Sequence, residues 1–227
     1  HLITAQKVTG LNPVEVTKIK SFSPSRSFFY NFLYPFAMAS YYIFNEEIEH
    51  IVFEESGIRY KEYENCIFKK CDFSACDFSG VVFVECTFYE CNFKETKINY
   101  VSLRDVQFVG CNFTAVNFAM TDQVIYNFNF TDCLLDYAQF YALKLKKMQF
   151  INCSMVSVDF MGSDLTEVLF DHCNLRRAVF IDTNLEKADF YSSYDFVLDP
   201  EKNKLKKAIF STEGLKGLLS KYDLVIK

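Results

Sequence analysis

Nine cysteines and three histidines are the residues of this 227-residue chain whose chemistry could include metal binding, disulfide formation or nucleophilic attack. The cysteines are Cys66, Cys71, Cys76, Cys86, Cys91, Cys111, Cys133, Cys153 and Cys173. The histidines are His1, His50 and His172, which share no cysteine or carboxylate constellation. The chain also has no Ser/His/Asp arrangement and no phosphate-binding glycine loop. We therefore predict no catalytic residue, no metal site and no cofactor.

The cysteines follow a five-residue period that extends far beyond them. Between Cys66 and Phe93, each group of five residues has a large apolar residue at its centre and a small residue two places earlier. A period of five fits neither the 3.6 of a helix nor the 2 of a strand, so the segment is a repeat. The pattern continues from Phe53 to Phe118 and, after a slip of two residues, from Ile125 to Phe190, about 28 groups in all. After Phe190 the period stops.

Groups such as CDFSA, CNFKE, SDLTE, CNLRR and TNLEK resemble the pentapeptide-repeat family. The resemblance covers residues 51–190. It implies an all-β fold, a right-handed quadrilateral β-helix in which four groups form one square coil. The groups would then form about seven coils, a rod roughly 34 Å long at the usual strand spacing of ~4.8 Å.

In that fold all nine cysteines take the small inward place of their groups. Cys71, Cys91 and Cys111 would be strung along an inner wall one coil apart, as would Cys133, Cys153 and Cys173. Ligands arranged in this way do not converge on a metal, so we expect buried, inert thiols that behave as small hydrophobes. The odd count argues against a disulfide framework and favours a reducing cytoplasm.

The amino-terminal residues lack the period. Residues 27–44 form an uncharged run of 18 residues, but the run contains Asn31, Pro35 and several tyrosines, and a spanning helix needs about 20 mainly apolar residues. We therefore predict no membrane segment. One interpretation takes Met38 as the start, so that residues 1–37 would not be native; another makes them an amino-terminal cap. The residues Tyr41, Tyr42, Ile43 and Phe44 are candidates to cover the open coil end.

We divide the chain into an extension or cap at 1–44, a β-helix at 45–190 and a tail at 191–227. Within the β-helix, three positions that stand two places before a centre do not hold a small residue: Lys61, Gln123 and Phe128. Residues 119–124, beside the phase slip, predict a bulge or short loop at one corner. The bulge is either a local packing solution or a contact site.

The tail predicts a helix that begins near Ser211 or Thr212, followed by a strand over 223–226. Residues of the helix form an apolar stripe that must cover either the last coil or a second copy of the tail. The tail resembles the dimerisation module of the Qnr and MfpA types of the family, which implies a homodimer. The predicted dimer interface is Leu215, Leu218, Leu219, Tyr222, Leu224 and Ile226.

Charge is divided unevenly along the chain. The net charge is −5, but residues 38–190 hold 13 Lys and Arg against 23 Asp and Glu. An acidic rod repels nucleic acid and attracts a basic groove. The predicted partner-binding surface is Glu62, Glu64, Glu85, Asp132, Asp164, Glu167 and Asp171.

Two functions fit these features. The Qnr and MfpA resemblance implies a rod that imitates duplex DNA and occupies the DNA-binding groove of DNA gyrase or topoisomerase IV. The alternative is a repeat scaffold that binds another macromolecule, because the acids are scattered around the coil and Lys144, Lys146 and Lys147 interrupt them. An enzyme and a membrane-tethered protein fit less well.

Overall fold

The computed structural model describes residues 42–54, 58–74, 76–122 and 127–225. Predictions for residues 1–41, and for Gln123, Ile125 and Ile226, lie outside the described residues. The strands of the described part are β1 (Tyr42–Phe44), β2 (Glu47–Glu49), β3 (Glu62–Glu64), β4 (Ile67–Lys69), β5 (Val82–Val84), β6 (Thr87–Tyr89), β7 (Ser102–Arg104), β8 (Val106–Val109), β9 (Phe128–Thr131), β10 (Gln149–Ile151) and β11 (Leu169–Asp171). Helix α1 spans Leu215–Leu219. No helix in these ranges is long and apolar enough to cross a membrane.

All strand pairs are parallel and join residues one coil apart. Phe68 lies opposite Phe88, and Phe88 lies opposite Phe108, so one turn takes 20 residues, or four groups. The strands form a shorter sheet in the order β1-β3-β5-β7 and a longer sheet in the order β2-β4-β6-β8-β9-β10-β11. On the other faces, isolated parallel bridges such as Asp72 to Asn92 continue the same register. The predicted parallel β-solenoid is confirmed.

The predicted phase slip is also confirmed. Phe108 on β8 pairs with Phe130 on β9, 22 residues later, so this coil has two extra residues. A 3-10 turn at Phe118–Met120 follows Asn117, whose side chain accepts a hydrogen bond from the Ala119 N–H. Phe128, which occupies a small place, is fully buried and stacks on Phe118 at a centroid distance of 5.8 Å.

The corners of the coil share one backbone conformation. The second residue after most centres has a positive φ, as at Lys70 (51°), Glu90 (51°) and Gly110 (66°), with Met120 and Ser192 as exceptions. Outside glycine this conformation costs roughly 1–2 kcal/mol per residue. The corner N–H groups offset that cost by bonding to the next coil, as from Lys70 N to the Tyr89 carbonyl oxygen at 2.9 Å.

The core is a set of stacked phenylalanine rings. Phe68 stacks on Phe88 with centroids 4.6 Å apart and planes 7° apart, and it meets Phe73 of the next face edge-on at 67°. Each ring therefore has parallel partners along the rod and perpendicular partners around the coil, the two arrangements that aromatic pairs favour.

The ladder extends beyond both predicted ends. Residues Tyr42–Phe44, expected as a cap, form β1 and pair with β3. The prediction that the period stops at Phe190 is wrong, because Asp189 pairs with Ile209 and Phe190 stacks on Phe210 at 5.2 Å. The intervening turn departs from the period, and its Phe196 and Leu198 enter the core instead.

The tail matches its prediction in part. The Ser211 hydroxyl accepts a hydrogen bond from Gly214 N at 3.1 Å just before α1, as expected for a residue that begins a helix. Residues 223–225, however, form no strand, so the strand predicted there is wrong in its described part. A left-handed residue, Asp223 with φ of 49°, ends the helical segment instead.

A mid-rod ring tests this core. Phe160 is fully buried between Phe140 and Phe180, at centroid distances of 5.3 and 5.4 Å. We expect Phe160→Ala to lower the free energy of unfolding by ~3–5 kcal/mol, because neighbouring coils cannot close into the space. Equilibrium denaturation measures this loss. The control is Tyr100→Ala, whose side chain is 73% exposed and whose loss should cost far less; equal stability of Phe160→Ala and wild type would contradict the assigned register.

Candidate functional site

The cysteines form longer columns than the sequence predicted. The residues that follow six of them pair in parallel from one coil to the next, through the bridges Asp72 to Asn92, Asn92 to Asn112 and onward to Asn174. Because the two-residue insertion keeps the register, the two predicted sets of three thiols join into one column. Its members are Cys71, Cys91, Cys111, Cys133, Cys153 and Cys173, all of them buried free thiols.

Each column thiol lies against a backbone carbonyl of the preceding coil. The Cys173 Sγ is 3.2 Å from the Phe150 carbonyl oxygen, and the Cys133 Sγ is 3.4 Å from that of Phe108. Where the small place holds a hydroxyl, it donates to the same kind of acceptor, as from Ser163 Oγ to Phe140 O at 2.6 Å. The thiols thus act as weak donors between coils, besides filling space.

Sequence reasoning missed this donor role, although a signal for it was present. Thr96, Ser163, Thr183 and Ser193 occupy the same small places as the cysteines, and all four hydroxyls bond to carbonyls of the preceding coil. Places that accept Cys, Ser and Thr share a small side chain with a hydrogen-bond donor. This shared property could have been read from the sequence.

Hydrogen bonds between neighbouring thiols lower the pKa of Cys91 and Cys133 and raise that of other members of the column, and burial acts to raise the pKa of them all. Burial and the adjacent thiols of Cys133 and Cys91 raise the pKa of Cys111 well above its usual value. The neighbouring Cys133 thiol and burial hold the pKa of Cys153 at about 12. A thiol that stays protonated is a poor nucleophile and a poor metal ligand. Within residues 42–54, 58–74, 76–122 and 127–225, no three His, Cys, Asp or Glu side chains are placed to hold a metal ion.

The two described histidines lie on outward corners. His50 has φ of 56° and His172 has φ of 52°, and both side chains are exposed. The His172 Nδ1 lies 2.7 Å from the Asp171 carboxylate, whereas the next residue, Cys173, is buried. The histidines therefore do not converge with the thiols.

The structure divides the predicted partner-binding residues between two faces. Glu62, Glu64 and Glu85 lie on or beside the shorter sheet, and Asp164 and Glu167 lie further along the same side of the coil. Asp132 and Asp171 lie at or beside β9 and on β11 of the longer sheet. The seven carboxylates therefore do not form one patch.

Lysines form ion pairs with two of the predicted acids on the side of the shorter sheet. Glu167 contacts Lys187 at 2.6 Å and Lys147 at 3.8 Å, and Asp164 contacts Lys146 at 3.1 Å. The ion pair with Lys187 lowers the pKa of Glu167, which stays charged at neutral pH. Exposed pairs of this kind contribute little to stability, but they remove the uniform negative charge that a DNA-like surface needs.

Asp132 and Asp171, the two predicted acids on the longer sheet, form no ion pair with Lys or Arg in the described part of the chain. Asp132 accepts a hydrogen bond from the Asn152 side chain at 2.5 Å. Asp171 accepts one from Ser192 at 2.7 Å, and this bond, with His172, lowers the Asp171 pKa. Hydrogen bonds leave their negative charge in place.

The tail helix covers the last coil and also presents apolar side chains outward. Leu218 packs against the core, and a Cβ on Gly217 would lie 2.2 Å from the Phe196 carbonyl oxygen, so the helix sits tightly on this end. Leu198 N donates to the Gly217 carbonyl oxygen at 3.1 Å. The outward residues and their exposures are Leu215 at 43%, Tyr222 at 51%, Leu224 at 58% and Val225 at 86%. The predicted stripe is therefore divided, with Leu218 and Leu219 half-buried.

The chain is similar to one protein family and to several solved structures. The family model described as a pentapeptide repeat region matches residues 61–140, 82–156 and 124–194. A trypsin-treated form of QnrB1, a plasmid-mediated fluoroquinolone resistance protein, is 18% identical over 83% of this chain and 99% of its own, with a TM-score of 0.47. HetL from the cyanobacterium Nostoc sp. strain PCC 7120, involved in heterocyst differentiation regulation, is 14% identical over 76% of this chain and 85% of its own, with a TM-score of 0.42. No curated protein matches the chain.

Thiol labelling tests the inward placement of the cysteines. We expect Cys91, Cys153 and the other seven thiols to resist iodoacetamide in the native protein and to react after denaturation, because each is buried. Mass spectrometry counts the labels. Ser74→Cys, at an exposed position, is the control that should label at once in the native state. Rapid native labelling of Cys91 and Cys153 would place them on the outside and reopen the metal interpretation.

Proposed function

Because this chain belongs to the pentapeptide-repeat family, we propose that it is a non-catalytic, acidic protein-binding rod whose partner is the DNA-binding groove of a type II topoisomerase. DNA gyrase and topoisomerase IV are the candidates. The observation that supports this proposal is the excess of acids, 23 against 13 bases over residues 38–190, carried on a rigid parallel ladder. Such a body repels nucleic acid and is attracted to a basic groove.

The charge density shows how good a DNA mimic the rod can be. The longest column of paired residues runs from Ile48 to Phe210, which is roughly 40 Å at ~4.8 Å per coil. Residues 48–210 hold 24 Asp and Glu against 17 Lys and Arg, a net charge of −7, which gives one charge per ~5–6 Å against one per ~1.7 Å in duplex DNA. Binding should therefore be weaker than that of DNA and should fall as salt screens it.

A scaffold that binds another macromolecule is the second candidate. It is favoured by the ion pairs that Glu167 forms with Lys187 and Lys147, because they break the acidic surface on one face. A pull-down from host lysate that recovers a single partner other than a topoisomerase would favour this function.

The tail supports a dimer within the same proposal. Leu215, Tyr222 and Leu224 stay exposed after α1 has covered the last coil, and a second tail would bury them. Burial of one aliphatic side chain contributes ~1.5–3 kcal/mol. Two rods joined end to end about a two-fold axis would match a two-fold topoisomerase. The nine free thiols favour a reducing cytoplasm for this complex.

A supercoiling assay tests the partner. We expect the wild-type protein to inhibit supercoiling of relaxed plasmid by purified DNA gyrase, since an acidic rod competes with DNA for the groove. Inhibition should decline as salt rises from 50 to 200 mM, roughly the range over which phosphate contacts lose most affinity. The heat-unfolded protein, which has the same charge but no rod, is the control and should not inhibit. No inhibition, no protection from quinolone and no binding at low salt would refute the proposal.

Sedimentation velocity tests the dimer. We expect the double change Leu215→Glu and Leu224→Glu to give monomers with an unchanged β circular-dichroism signal, because both side chains are exposed. The matched change Leu218→Glu should lower the melting temperature instead, since Leu218 packs against the core. A wild-type monomer at micromolar concentration would rule out the dimer.

A further inference from the structure

Side-chain size is divided between the two halves of one face of the rod. We call the outward side chains around the buried centres Phe78, Ile98, Phe118, Phe140, Phe160 and Phe180 the Phe140 face. Bridges from Asn117 to Gln139 and from Gln139 to Asp159 keep this face in register across the two-residue slip. The residues directly after its centres are Ser79, Asn99 and Ala119 in the first half and Tyr141, Met161 and Ile181 in the second. This column therefore holds shorter side chains before the slip and large ones after it.

The column before the centres carries two opposite charges at matching distances from the middle of the face. The middle lies between the coils of Phe118 and Phe140. Lys97 stands in the second coil on one side of it, and Asp159 stands in the second coil on the other. In the described part of the chain neither side chain forms an ion pair, although Asp159 accepts a hydrogen bond from Met161 N at 2.9 Å. Both charges are therefore open to a partner.

The corner column of the same face has a projecting ring and a recess at matching places. Tyr100, at the corner of the second coil before the middle, is 73% exposed. Gly162 takes the corner of the second coil after the middle, and the atom of another coil nearest to a Cβ placed there would be the Ala142 Cα at 4.0 Å. At Gly80 the equivalent Cβ would lie 2.8 Å from the Tyr60 ring, which fills the space. The recess at Gly162 has no such ring from its own chain among the described residues.

The other three faces lack this division in the residues that the structure describes. On the two adjacent faces the column after the centres includes charged residues, with Lys94 on one and Lys146 on the other. On the longer sheet, which lies opposite, large side chains such as Tyr89 and Ile151 stand in both halves of the column. Size and charge together therefore distinguish the Phe140 face.

Two copies of this face fit each other when their rods lie antiparallel. A two-fold axis that runs along the strand direction, through the middle of the face, places each coil of the first half against a coil of the second half. Residues before a centre then meet residues before a centre, and corners meet corners. The pairs formed in this way are Lys97 with Asp159, Asn99 with Met161, Ala119 with Tyr141 and Tyr100 with Gly162. The symmetry forms each of these pairs twice.

We infer that the Phe140 face binds a second copy of this chain in the antiparallel arrangement, as an interface separate from the tail. The contact has an apolar centre at Tyr141 and Met161 and a pair of opposite charges toward each end, a composition that suits a protein interface. A parallel arrangement would place each coil against itself, so that Lys97 would meet Asn99 and Asp159 would meet Met161. Both charges would then lose water without gaining an ion pair.

The size of the face sets the strength of the contact. Three outward residues from each of six coils give about 18 residues a copy, against the 20–30 of a standard interface. An interface of this size is at the weak end, so we expect association at about 100 μM, above the micromolar range in which the tail dimer is tested. Because the two contacts together would join rods into an open array, the test uses the Leu215→Glu and Leu224→Glu background, which removes the tail contact.

Charge reversal tests the arrangement by sedimentation equilibrium in that background. We expect Lys97→Glu alone and Asp159→Lys alone each to weaken self-association about tenfold or more, because like charges then meet at both pairs. The double change Lys97→Glu with Asp159→Lys should restore association, since it only exchanges the two charges of each pair. The matched control is Lys94→Glu, which makes the same charge change on an adjacent face and should alter association less than about twofold.

A mixture of the two single variants separates a contact between copies from an effect on folding. The place before a centre holds Glu62 and Lys144 elsewhere in the rod, so the fold accepts both changes, and circular dichroism checks this. An equal mixture of the Lys97→Glu and Asp159→Lys variants should associate as tightly as the unchanged face. In the mixed pair, every charge of one copy meets the opposite charge of the other.

Two outcomes would overturn the inference. One is a background protein that stays monomeric at concentrations about tenfold above 100 μM. The other is association that the single reversals at Lys97 and Asp159 leave unchanged, or that the mixture of the two variants fails to restore. Neither outcome bears on the proposed function, because no topoisomerase is present in the experiment, and a failure to inhibit gyrase would leave this interface untouched.

Discussion

The stacking of each buried ring on the ring one coil away sets the geometry of the whole solenoid. Parallel strands are spaced by ~4.8 Å, and aromatic rings stack well at nearly that distance, as Phe93 and Phe113 do at 4.4 Å. A ring at a centre therefore satisfies the backbone ladder and the core together, and after Phe130 two of the four faces have Leu or Met at their buried centres instead, as at Leu145 and Met155. The corner residues with positive φ follow from the same requirement, because each coil must turn four times to return its centres to register.

This constraint explains which parts of the fold the sequence predicted. The period, the parallel ladder and the two-residue slip all follow from residues that repeat, so a single rule covered Phe68, Phe108 and Phe130. The core of the carboxyl-terminal end could not be predicted from the repeat, because Phe196 and Leu198 fill it at positions that are out of phase with the five-residue period. The repeat pattern does not predict which residues fill the core here, because this depends on how an irregular turn folds back onto the last regular coil. The strand predicted over 223–225 is absent for a similar reason, because this short apolar run has no strand beside it to pair with.

The candidate surface was less predictable than the core. The sequence supplied the acids but could not place Glu167 next to Lys147 and Lys187, because contacts between coils join residues 20 apart. It also assigned the inward cysteines a purely apolar role, whereas the carbonyls of the preceding coil make them donors. In both cases the missing information was the coil length combined with the side-chain direction.

The inward and outward positions of each five-residue group are under different constraints. Three of every five residues face outward and contribute little to the ring stack, so the fold sets their identities only weakly. Outward places before and after the centres carry Lys144 and Lys146 on one side of the rod but Gln149 and Ile151 on the longer sheet. Both sets flank equally buried centres, Leu145 and Phe150. The solenoid would fold with lysine at either place, so the ring stack and the ladder do not set the charges of the outward places.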